Sequence, residues 1–125
     1  MKNLLDTHAF LWFFTGDRKL SAHARSEMED PANDNFVSIA SLWEIAIKSS
    51  LGKLTLDDSF DRIIPQVLAE VACGLLSVEL DHVNQLATLP FHHRDPFDRM
   101  LVAQSTLEQM PVISADASFD AYGVT

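Results

Sequence analysis

Residues 1–14 read MKNLLDTHAFLWFF. An apolar run from Leu4 to Phe14 is interrupted by Asp6, Thr7 and His8. An ionised acid in an apolar setting is costly unless it is paired or ligates a metal. The pattern predicts a short buried strand over 2–6, then a helix over 8–15 that ends at Gly16 and Asp17. Asp6 therefore stands at the carboxyl end of a core strand. Open parallel sheets bind their ligands at such ends.

The same alternation continues along the chain. Ser21 is a candidate N-cap for a polar helix over 22–30, and Pro31, Asn33 and Asp34 mark a loop. A strand is expected at 36–38 and a helix over 39–51, where Ile39, Leu42, Trp43, Ala46 and Ile47 recur near helical spacing. Residues 59–64 and 65–73 read as two helices, because Pro65 suits a first turn better than an interior. Gly74 is expected to end the second. A strand follows over 75–78, and Asp81 is a candidate cap for a helix over 82–89. The longest helix is expected over 96–109, a fourth strand over 111–114, a helical turn over 117–122 and a short last strand at 123–125. Strands alternating with helices predict an α/β fold: a three-layer α/β/α sandwich with a mainly parallel central sheet.

The totals narrow the class. A chain of 125 residues is expected to form one domain, 1–125, with one sizeable core. The lone Cys73 excludes an intramolecular disulfide and a thiolate zinc cluster within one chain. No apolar run reaches the roughly 20 residues of a membrane helix. Lys2 and the residues after it resemble a signal peptide only faintly, since Asp6 and His8 break the apolar stretch. A cytoplasmic protein is expected. A net charge of −9 argues against a broad basic face for nucleic acid. It leaves open an enzyme that gathers its acids at one metal-bound site.

Four stretches each place an acid at an element boundary: LLD at Asp6, SIASLWE at Glu44, RDPFDRMLVAQ at Asp95 and Asp98, and VISAD at Asp116. Each acid also has a plainer reading. Asp6 and Asp116 suit helix caps, and Glu44 beside Trp43 suits an exposed helical position. Asp95 reads as an N-cap, with Pro96 at the first helical position and Asp98 three residues after the cap. If Asp95 spends its carboxylate on backbone N–H groups, Asp98 is left to point at the strand ends. Should the four acids converge, their repulsion is large. Two like charges about 4 Å apart cost roughly 4 kcal/mol at an effective dielectric near 20. An all-oxygen acid set suits Mg²⁺ or Mn²⁺. Such ions activate water and stabilise a phosphodiester under attack. The chemistry inferred is metal-dependent hydrolysis of a nucleic-acid phosphodiester.

LLDTHAFLW, SLWEIAIKSSLGKL, HRDPFDRMLVAQ and ISADASFDAYGV resemble, in order and spacing, the motifs of PIN-domain ribonucleases. They look most like the VapC-type toxins of toxin–antitoxin systems, and the resemblance spans nearly the whole chain. It implies a Mg²⁺- or Mn²⁺-dependent endoribonuclease acting on RNA, a cognate antitoxin that inhibits it, and a homodimer. By the same resemblance Asp6, Glu44, Asp98 and Asp116 match the catalytic, metal-holding acids. Asp6 and Asp98 would hold the main metal, with Glu44 and Asp116 completing the shell. Asp95 is an auxiliary candidate. The hydroxyls of Thr7 and Ser114 flank the site and are candidates to bond metal waters or phosphate.

Lys48, Lys53, Arg94 and Arg99 are candidate phosphate contacts, each also readable as a surface charge. His92 and His93 read as loop or substrate-contact residues rather than metal ligands, and His8 as a packing residue. The dense cluster Phe10, Leu11, Trp12, Phe13 and Phe14 exceeds what one core face needs, so part of it is a candidate dimer or antitoxin surface. Two other enzyme-like classes fit poorly. A receiver-type signalling module wants a late Lys, and none follows Lys53. An Asp-nucleophile phosphatase wants an acid where His8 stands. A non-enzymatic interaction module is the remaining alternative, favoured if the acids are scattered.

Overall fold

The computed structural model describes residues 1–90 and 95–114. Asp116, the turn expected over 117–122, the strand expected at 123–125, and His92, His93 and Arg94 lie outside the described residues.

Among the described residues the sheet is parallel. β1 (Lys2–Leu5), β2 (Asp34–Ser38), β3 (Gly74–Leu76) and β4 (Val112–Ile113) lie in the order β3-β2-β1-β4. Leu4 pairs with Phe36 and Val112, and Leu5 with Val37 and Ile113. Side chains alternate faces along a strand, and the register sorts them into two cores. Leu5, Val37 and Ile113 face α1 (Thr7–Thr15), α2 (Ala22–Glu29), α3 (Ile39–Ser50) and α4 (Phe60–Val71). Leu4, Phe36, Leu76 and Val112 face the other way, with Leu101 and Val102 of α6 (Pro96–Glu108) and Leu89 beyond α5 (Leu80–Ala87). Helices thus cover both faces, and the expected three-layer α/β/α sandwich is observed. No helix among the described residues is long and apolar enough to cross a membrane.

Several boundaries follow the predicted signals. Gly16 takes the left-handed conformation that ends α1, and the Ser21 hydroxyl caps α2 at Ala24 N. Three predictions are corrected. Residues 59–73 do not form two helices, because α4 runs unbroken through Pro65. Ile63, Ile64, Val67 and Val71 form one buried stripe across that position. Splitting the helix would leave new unpaired backbone groups at both breaks, whereas Pro65 sits exposed and removes only one N–H donor. Gly74 does not end α4, since Ala72 takes the left-handed cap. Gly74 opens β3 instead, where a Cβ would come within 2.9 Å of the Phe36 ring. Asp81 is not the cap of α5. Glu79 holds that position, and Asp81 lies in the first turn.

His82 ties α5 to α6, the helix that carries Asp98. It is 1% exposed. Its Nδ1 accepts from Glu79 N–H at 2.9 Å, so the neutral ring carries its proton on Nε2 and donates to Glu108 Oε2 at 2.9 Å. Replacing His82 by Ala removes the cap and leaves a cavity. His82→Ala is expected to cost about 2–4 kcal/mol in urea unfolding at neutral pH. A loss within experimental error would show that the α5–α6 tie is unimportant.

Candidate active site

The site begins at the carboxyl end of β1. β2 flanks β1 on one side and β4 on the other; α1 and α2, which connect β1 to β2, lie on one face, and α6, which leads into β4, lies on the other. Such a reversal opens a crevice beyond the strand ends. Asp6 is the first residue past β1 and Ser114 the first past β4.

Asp6 is 5% exposed. Its Oδ1 accepts from Ala9 N–H at 2.6 Å, capping α1. Its Oδ2 accepts from the Ser114 hydroxyl. The cap reading and the site reading of Asp6 therefore hold together: one oxygen starts the helix, and the other faces the β4 end. The positive end of the α1 dipole also favours a carboxylate here.

Glu44 is not the exposed position that its neighbour Trp43 suggested. It is 3% exposed. Its Oε1 accepts from the Thr7 hydroxyl at 2.8 Å, and its Oε2 pairs with Lys48 Nζ at 2.7 Å, one turn along α3. Thr7 adjoins Asp6 in sequence, so this contact couples the end of β1 to α3. The hydrogen bond to Glu44 raises the Lys48 pKa above its ordinary 10.5. Burial opposes the rise, and the charges of Glu44, Asp95 and Asp98 add to it. The ring of Trp43, next to Glu44, meets that of Phe97, next to Asp98, so the α3 and α6 acids lie on one side of the molecule.

Asp95 caps α6, its Oδ1 accepting from the N–H groups of Phe97 (2.8 Å) and Asp98 (3.2 Å). Asp98 follows in the first turn, half-buried. The basic candidates divide. Lys48 is engaged by Glu44, so it is not simply offered to phosphate. Arg99 turns to the end of α5, donating to Pro90 O at 3.2 Å and Leu86 O at 3.4 Å. That direction follows from its place on α6, which packs against α5. Lys53 is exposed at the mouth of a groove beside Thr7 and Lys48. Burial pushes the Cys73 thiol up to about 11, which disfavours the nucleophilic thiolate.

Among the described residues, no three His, Cys, Asp or Glu side chains are placed to hold one metal ion. Asp116 is outside that set. The chemistry of the donors nonetheless suits a hard cation. Asp6 and Glu44 are buried carboxylates, each fixed by a neighbouring hydroxyl, and Asp98 stands at the facing helix start. The sequence singled out Thr7 and Ser114 as flanking groups, but not their acceptors. Long-range pairs of this kind have no local signal. The Glu44–Lys48 pair does have one, the four-residue spacing of neighbours on a helix face.

The PIN domain model matches residues 4–124. The chain belongs to the PIN domain family. No curated protein matches it closely enough to add to that assignment. PIN domains are in general nucleases that use divalent metal ions, and PIN nucleases act on RNA.

Because Glu44 is buried and Lys48 is 40% exposed on its side chain, the two partners are unequal. Lys48→Met strands a buried charge in this PIN domain, whereas Glu44→Gln leaves a neutral group. Lys48→Met is expected to destabilise by about 1–2 kcal/mol after allowance for solvent screening, and Glu44→Gln by less. A raised Lys pKa means the pair contributes fully below pH 10.5 and fades as pH climbs through the folded value. Alkaline unfolding followed by circular dichroism should therefore show a decline in wild type that Lys48→Met lacks.

Proposed function

We propose that this PIN domain is a Mg²⁺- or Mn²⁺-dependent endoribonuclease, the toxin of a toxin–antitoxin pair held inactive by a cognate antitoxin, and that it works as a cytoplasmic homodimer. The observation that carries the nuclease reading is Asp6. A buried carboxylate at the reversal of a parallel sheet, pinned by Ala9 N–H and the Ser114 hydroxyl, is held too rigidly for an incidental surface acid. Residues 1–125 would act as a single domain.

In this reading Asp6 and Asp98 hold the metal, and Glu44 and Asp116 complete the shell. When bound, the ion would lower the pKa of a water and offset charge on the phosphate. Thr7 keeps the Glu44 carboxylate turned toward the end of β1. Ser114 keeps Asp6 from rotating, and Asp95 starts α6 so that Asp98 meets the strand ends. Lys48 offsets part of the acid repulsion. Lys53 and Arg94 are left as the phosphate contacts.

The partner readings have their own support. A groove of about 390 Å³ runs between α1 and α4, lined by Leu11, Trp12, Phe14, Ile64 and Val67, and reaches Lys48 and Lys53. An antitoxin segment seated there would lie beside the acids. A dilution series by light scattering that stays monomeric would count against the dimer.

The deciding experiment uses protein purified without an antitoxin, with structured and unstructured RNA. Wild type should cleave with Mg²⁺ or Mn²⁺ and stop with EDTA. Asp6→Asn and Asp98→Asn should each lose about 100-fold or more. Equal background cleavage by all three proteins would overturn the nuclease reading. It would favour a non-enzymatic module, the alternative to which the lack of a three-acid cluster among the described residues lends weight.

A further inference from the structure

Trp43 is 62% exposed, and among the described residues it is the only aromatic in the set of exposed large apolar side chains. It adjoins Glu44 in sequence. Its ring meets that of Phe97, the neighbour of Asp98, edge to face, with centroids 5.2 Å apart and planes at 83°. One aromatic therefore comes from the start of each helix that carries a candidate acid. We infer that Trp43, braced by Phe97, is a stacking platform for an unpaired nucleobase of the RNA whose backbone lies at the acids. The inference rests on the nuclease reading above and adds a substrate-contacting residue: the indole of Trp43, onto which one unpaired base is splayed.

Three features carry it. First, the edge-to-face contact restrains the indole before any ligand arrives, so little side-chain freedom is lost on binding. Second, the exposed apolar surface here is small. Ile39, 41% exposed one turn earlier on α3, is the only other large apolar side chain of the exposed set in the first turns of α3 and α6. A stable protein interface needs on the order of 800 Å² per partner, whereas one base needs only a ring face. Third, the charge near the rings is acidic on balance, because Asp95 and Asp98 add to Glu44, whose charge Lys48 already offsets. A phosphate alone would be repelled there, and a stacked base supplies affinity that does not depend on charge. Bases within a duplex hide their faces in the stack, so the platform selects unpaired segments.

The test measures binding and cleavage separately. Binding of a short single-stranded oligoribonucleotide, and of the same sequence as a duplex, is followed by fluorescence anisotropy in Ca²⁺. Indole emission is recorded in the same titration. Wild type should prefer the single strand and show quenching. Trp43→Ala should bind the single strand roughly 5- to 100-fold more weakly, with duplex binding unchanged. Trp43→Phe should retain most of the affinity and lose the quench, while Trp12 emission reports an intact fold. In Mg²⁺, Trp43→Ala should raise KM more than it lowers kcat.

A folded Trp43→Ala variant that binds the single strand as wild type does would overturn the platform. So would unchanged RNA binding together with a loss of dimer in light scattering, which would assign the ring to a protein contact. Failure of the nuclease reading is distinguishable, because it appears as equal cleavage by wild type and Asp98→Asn whatever the binding data show.

Discussion

A buried carboxylate at the end of β1 is the constraint from which the rest of the arrangement follows. Asp6 lies between two apolar layers, where an unsatisfied charge would cost several kcal/mol. Its two oxygens are met from two directions, by the first turn of α1 and by the residue after β4. Neither donor is available unless β4 lies beside β1 and α1 begins at Thr7. The acid therefore ties the first residues of the chain to position 114, and the parallel order β3-β2-β1-β4 makes that tie possible.

The same logic extends outward. Thr7 carries the constraint from Asp6 to Glu44, and Lys48 balances Glu44 within a single turn of α3. Asp95 spends its carboxylate on backbone groups, which sets where α6 begins and so where Asp98 stands. Asp6, Glu44 and Asp95 each have their own small supporting structure of hydroxyl, backbone N–H or ammonium. Repulsion among them is met locally, so the chain need not rely on one shared partner to bring them to the same side.

Much of this was legible in the sequence where local chemistry decides. The strand–helix alternation, the Ser21 and Asp95 caps, Gly16 and the buried Leu4–Leu5 pair all follow rules that act within a few residues. Two of the errors arose where distant packing outweighed a local rule. Pro65 looked like a helix start, but the stripe from Ile63 to Val71 packs as one face and carries the helix through it. Gly74 looked like a stop, but the Phe36 ring across the sheet requires the missing Cβ. At the site, the elements that carry Asp6, Glu44 and Asp98 could be read, while the partners of Thr7 and Ser114 could not. Those contacts join residues 37 and 108 positions apart. Asp116 lies outside the described residues, so its place rests on sequence alone.

β4 is only two residues long. Beside it, Leu4 N–H bonds to Pro111 O and Asp6 N–H to Ile113 O. Two-residue strands offer few backbone bonds among the described residues, and weakly bonded segments open at a lower free energy than the bulk of a fold. Each such opening would also withdraw the Ser114 hydroxyl from Asp6. The aim of the central carboxylate is then only as steady as the shortest strand in the sheet. Anything that clamps or loosens residues 111–114 would change the fraction of time for which Asp6 is held by the Ser114 hydroxyl, without touching the acids themselves.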